Sequence, residues 1–134
     1  MGSHYTLSWM NCLHFHDFFN WAQTRYPDIS DIYVSKLQSP EQYSIELLSL
    51  EMRKNVFDHV MKNLNTPINQ SYERTLFLYK EHMLSTAFDH FDLDKLKFGL
   101  STLTVTDGRR GNNHLDIVTD FIEFIGYDPK RLFK

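Results

Sequence analysis

Residues 5–11 read YTLSWMN, and along an extended chain Tyr5, Leu7 and Trp9 fall on one side while Thr6, Ser8 and Met10 fall on the other. Side chains alternate faces along a strand, so this segment predicts a strand with one strongly apolar face, ending at Asn11. A strand leaves backbone N–H and C=O groups unsatisfied along its edges until something pairs with it. With only four residues ahead of it, this one is expected to pair with a later segment, a second chain or a missing N-terminal portion. On that ground the chain reads as incomplete.

A later segment is available. Residues 17–26 place Phe18, Trp21 and Ala22 at helical spacing, with Asp17 as N-cap and Pro27 ending the run. Residues 30–37, SDIYVSKL, put Ile32 and Val34 on one face of a second strand and Tyr33 on the other. Strand, helix and strand in succession predict a β-α-β unit with a parallel, right-handed crossover. Beyond Pro40 the pattern turns helical. Met52, Val56, Val60 and Leu64 recur every four residues, Phe57 and Met61 widen the stripe, and Ser49 caps its start. Thr66 and Pro67 predict the start of the next helix, since proline in the first turn forfeits no hydrogen bond, and Ile68, Tyr72, Leu76, Tyr79 and Met83 form its buried face. Leu93, Leu96, Leu100 and Leu103 predict a third helix capped by Asp92, against a competing strand over residues 100–106. TDGRRGNN reads as a loop, and Leu115, Val118, Phe121, Ile122 and Ile125 as a last helix that Gly126 ends. The expected fold class is α/β leaning α-rich: a β-α-β start over residues 1–40 and about four helices over residues 41–134, in a single domain.

Eleven Phe, seven Tyr and two Trp in 134 residues supply the burial a core needs. A formal charge of −3 provides no field to steer the chain onto phosphate backbones or anionic lipid, so neither nucleic acid nor membrane is expected as a partner. The lone cysteine, Cys12, and the absence of signal-peptide character at the start point to a reducing compartment, the cytoplasm.

Chemistry-bearing residues gather twice. Cys12, His14 and His16, followed by Asp17, directly succeed the first strand, where functional loops sit in parallel-sheet proteins. Zinc takes about four N, S or O ligands, and residues two apart on an extended loop reach a common ion, so this cluster is the weak candidate for zinc or iron. The competing account is packing, with one histidine seated at the helix start and another facing solvent. Asp107, Arg109 and Arg110 form the second group, two guanidinium groups beside a carboxylate in a glycine-flanked loop, suited either to clamping an anion or to locking the loop. His59, His82, His90 and His114 are dispersed, Ser8 and Ser35 lack a nucleophile-elbow context, and Asp89, Asp92 and Asp94 read as helix-start residues. No catalytic residue is expected.

YTLSWMN with HDFFNWA, LQSPEQYSIELLSLEMRKNV, and TDGRRGNNHLDIV together resemble the C-terminal portion of twitch or SPASM-related radical SAM proteins, as found in phage and environmental genomes. On that resemblance Asn11 ends a late barrel strand, Pro40 and Leu48-Ser49 start a helix, and Asp107 with Arg110 form a late Asp-x-x-Arg-like pattern. Ser49 stands where proline is usual, and the diagnostic cysteine triplet is absent, so one cysteine holds no 4Fe-4S cluster. What the resemblance implies is a non-catalytic accessory module, without a cofactor of its own, that completes a larger partner. The fold it implies is an incomplete barrel end with a helical tail. The alternatives are an independent α-rich interaction protein and a metal-dependent enzyme built on Cys12, His14 and His16. Either way a protein partner or a homo-oligomer is expected, with Asn11, His14, His16, Asp107, Arg109 and Arg110 as the contact residues.

Overall fold

The computed structural model describes residues 3–27, 32–39, 41–110 and 115–128. Strand β1 (Ser3–Leu7) and strand β2 (Ile32–Lys36) pair in parallel, Ser3 opposite Ile32 and Leu7 opposite Lys36, joined through helix α1 (Phe15–Arg25). Four further helices follow, α2 (Leu50–Lys62), α3 (Glu73–Met83), α4 (Leu93–Arg110) and α5 (Leu115–Phe124), so the chain is α-rich with a small β start. The opening strand thus finds its partner inside the chain.

Strand β1 stops at Leu7 and not at Asn11, because the Asn11 amide builds a turn there. Its Oδ1 accepts from the Ser8 N–H at 2.8 Å and its Nδ2 donates to the Thr6 carbonyl at 2.8 Å. A 3₁₀ turn, Cys12–His14, then leads into α1, which begins ahead of Asp17 and leaves that carboxylate in the first turn, not at the cap. The buried face of α1 is Phe15, Phe19 and Ala22, and Trp21 turns out to solvent, 55% exposed. Phe15 takes precedence because its ring stacks on Tyr79 with centroids 4.0 Å apart, a contact across 64 residues that local spacing does not reveal.

Helix α2 starts where expected, the Ser49 hydroxyl accepting from the Met52 N–H at 3.3 Å. Helix α3 starts later than Pro67. A 3₁₀ turn, Gln70–Tyr72, precedes it, and Asn69 caps that turn, its Oδ1 accepting from the Ser71 N–H at 3.0 Å. Asp92 caps α4 by accepting from the Lys95 N–H at 3.0 Å. The backbone of α4 continues to Arg110, so the competing strand over residues 100–106 does not form, and the expected TDGRRGNN loop is helix as far as it is described. Propensity is a weak prior for one residue, and each residue added to a formed helix gains a hydrogen bond, which carries the helix through Gly108. Helix α5 ends as expected. Gly126 takes φ +95°, its N–H donating to Glu123 at 3.0 Å and that of Tyr127 to Ile122 at 3.1 Å, which satisfies the last carbonyls.

The core unites both halves of the chain, with Leu7, Trp9, Phe15, Val34, Val56, Tyr79 and Phe121 all buried. Its aromatic polar atoms are satisfied across long separations. Trp9 Nε1 donates to the Gln42 carbonyl at 2.7 Å, Tyr72 to the Ala22 carbonyl at 2.9 Å and Tyr79 to the Cys12 carbonyl at 2.9 Å. Among the described residues no helix is long and apolar enough to cross a membrane.

Candidate functional site

The two edges of the sheet are treated differently. The Leu37 N–H donates to the Leu7 carbonyl at 2.8 Å, so Leu7 and Tyr5 turn their backbone groups toward β2, and His4 and Thr6 turn theirs outward. On β2 the outward residues are Ile32 and Val34, and α3 lies along them. Thr75 Oγ1 donates to the Ile32 carbonyl at 2.8 Å, and His82 Nε2 meets the Val34 carbonyl at 3.1 Å, which fixes the proton on that nitrogen. The outer edge of β2 is therefore covered by α3, which buries Ile32 and Val34 and engages both their carbonyls.

The outer edge of β1 is not. Asn11 Nδ2 reaches the Thr6 carbonyl, but among the described residues nothing meets the His4 N–H, the His4 carbonyl or the Thr6 N–H. The sheet face beside this edge is also open. His4, Thr6 and Tyr33 are exposed, the Tyr33 ring stands edge-on to His4 at 5.7 Å, and His4 hydrogen-bonds the Ser35 hydroxyl. Parallel sheets are ordinarily covered on both faces, so this corner of the molecule presents what such a sheet normally hides. Asn11, expected as a contact residue, spends its amide on the turn and borders the edge without offering a free group to it.

The cluster after β1 is present but differs from the expected one. Asp17 lies between His14 and His16, its oxygens 3.5 Å from His14 Nδ1 and 3.4 Å from His16 Nε2. Two residues that local reading missed join them from afar. Asp120 on α5 approaches His14 Nε2 at 3.8 Å, and His59 on α2 packs its ring against His16 at 5.5 Å. Cys12 does not belong to the group. Its sulfur donates to the Trp9 carbonyl at 3.6 Å, and burial pushes its thiol up to about 12, so it carries no thiolate at neutral pH. Among the described residues no group of three or more His, Cys, Asp or Glu is placed to hold a metal ion. Burial lowers the His16 pKa, the nearby His59 and His14 lower it further, and Asp17 with the Leu13 carbonyl opposes them.

Asp107, Arg109 and Arg110 lie on the helical backbone of α4, with side chains outside the described residues, so the glycine-flanked loop that motivated an anion clamp is absent at these positions. A polar cleft of about 480 Å³ opens between residues 38–47 and the start of α4. Its charges answer one another, Lys36 with Glu46 and Lys95 with Glu41, each at 3.1 Å. Comparison with known proteins returns no matching protein-family model, no matching curated protein and no matching solved structure.

Proposed function

We propose that the chain is a non-catalytic interaction module that joins a protein partner through the outer edge of β1, to which the partner adds an extended segment. The observation that carries this reading is the asymmetry of the sheet: on one edge Ile32 and Val34 are buried under α3, which engages both their carbonyls, while on the other His4 and Thr6 are exposed and three of their backbone groups have no partner among the described residues. Strand addition draws its affinity from main-chain hydrogen bonds and its preference from the side chains beside them, here His4, Thr6 and Tyr33. An accessory role beside a larger protein, as the resemblance to radical SAM tails implies, uses the same edge in the same way. Its place of work is the cytoplasm, where a lone cysteine remains reduced.

Photo-crosslinking from position 6 against position 73, combined with sedimentation over a range of concentrations, tests the reading. Adducts or self-association are expected through position 6 and not from α3, and His4→Pro removes them, because it deletes an outward N–H without touching the backbone pairing to β2. A monomer whose His4 and Thr6 amides exchange with solvent as slowly as those of Tyr5 and Leu7 overturns it, since the edge is then covered within the chain.

A further inference from the structure

The His14, His16 and His59 cluster lies at a junction of the 3₁₀ turn with α1, of α2 and of α5, and plays no part in the sheet edge. Two of its ring nitrogens, His14 Nε2 and His16 Nδ1, are buried without a hydrogen-bond partner. Buried polar atoms normally have one, so each such exception calls for an account. Burial also rules out surface chemistry, because no substrate reaches these nitrogens. What can reach them is a proton.

We infer that His16 is a proton-operated wedge that loosens the seating of α5 on the rest of the core when its ring becomes charged. The groups facing it are His14 and Asp17 from its own segment and His59 from α2, and Asp120 on α5 faces His14. His59 is the mechanical link, since its ring packs edge-on against His16 at 5.5 Å on one side and against Phe124 of α5 at 5.2 Å on the other. A charge on His16 puts a new donor at its buried Nδ1, which no acceptor meets in hydrogen-bonding geometry and which the Leu13 carbonyl offsets only in part, between the rings of His14 and His59. Asp17 compensates at Nε2 alone.

The sign follows from the direction of the His16 shift. Above the ordinary imidazole value of about 6.5 the ring is neutral folded and unfolded, and stability is insensitive to this group. As pH falls below that value the unfolded chain takes the proton first, so the seated state loses ground until the folded ring titrates as well.

Trp9 reports the event, being fully buried with its ring 5.5 Å from Phe121 of α5. Trp21→Phe leaves it the sole tryptophan, and its emission is followed from about pH 8 to about pH 5, bracketing the imidazole range, alongside far-ultraviolet dichroism. The expected result is a reversible red shift of Trp9 with helix content retained, abolished by His16→Gln and left in place by His14→Gln. A red shift unchanged in His16→Gln, or none short of global unfolding, overturns the inference. Should His16→Gln not fold, ring-nitrogen NMR of the parent decides: His16 must titrate below the ordinary imidazole value of about 6.5, and titration at or above that value overturns the inference equally.

Discussion

Arg53 is the least expected member of the core. It stands beside Met52 in the apolar stripe of α2, yet Met52 is half-buried and the arginine has no exposed surface. Its guanidinium donates to the carbonyls of Met83 and Ser85 at 2.9 Å each, to that of Phe88 and, through Nε, to that of Leu48 at 3.3 Å. The plane also lies over the Phe88 ring, 4.0 Å from its centroid. One side chain thereby satisfies the carbonyls of an irregular stretch that no helix or sheet serves, although burial lowers its own pKa against the pull of Asp89 and Glu46. Arg53→Met keeps the stem and removes every donor, and is expected to cost about 3 kcal/mol or more in urea denaturation, with an unchanged m-value. Arg53→Lys should recover only part of this, because an ammonium lacks the planar fork. A loss below about half a kcal/mol for Arg53→Met would show that water serves those carbonyls equally well.

At the scale of elements, Gly99 shows how a residue that weakens a helix can be required by it. Glycine inside a helix costs about 1 kcal/mol relative to alanine, so Gly99→Ala in an isolated α4 would stabilise. Here a Cβ at that position would lie 2.6 Å from the Gln42 carbonyl oxygen, a backbone atom that cannot swing aside. Gly99→Ala is therefore expected to lower the melting temperature, with a net loss of about 1–3 kcal/mol from overpacking. A rise in melting temperature would mean that the turn Glu41–Tyr43 yields. Glycine weakens a helix by its own propensity, and the reason for this one lies in a neighbour 57 positions away. The same holds elsewhere. Periodicity located β2, α2 and the end of α5 because those signals are local: alternation, a serine cap, a glycine at the C-terminus. It misplaced the buried face of α1 and missed Thr75, His59 and Asp120, whose roles depend on contacts between segments far apart in sequence. A signal for Thr75 did exist, since a hydroxyl in register with Tyr72 and Tyr79 on a buried helix face must find an acceptor.

Across the whole molecule most of the aromatic supply goes inward. Trp9, Phe15, Phe19, Tyr72, Tyr79 and Phe121 are fully or almost fully buried, while the exposed rings of Trp21, Tyr26, Tyr33, Phe77, Phe98 and Phe124 are spread over α1 and its C-terminal end, β2, α3, α4 and α5. The rings thus chiefly build the core, and the open strand edge is a separate feature made of backbone. Cys12 sits within that core without exposed surface, and Tyr79 of α3 holds its carbonyl. Because the thiolate is the reactive species and burial suppresses both its formation and its access, a thiol reagent reaches this sulfur only when the structure around it opens. Alkylation of the native chain is expected to run about a thousandfold or more slower than in denaturant, in keeping with the small unfolded fractions of stable domains. A rate within about tenfold of the denatured one would show that the Trp9–Cys12–Tyr79 region opens far more readily than a packed core should. The chain's single sulfhydryl is in this respect a built-in clock, its labelling half-life timing how often the core comes apart.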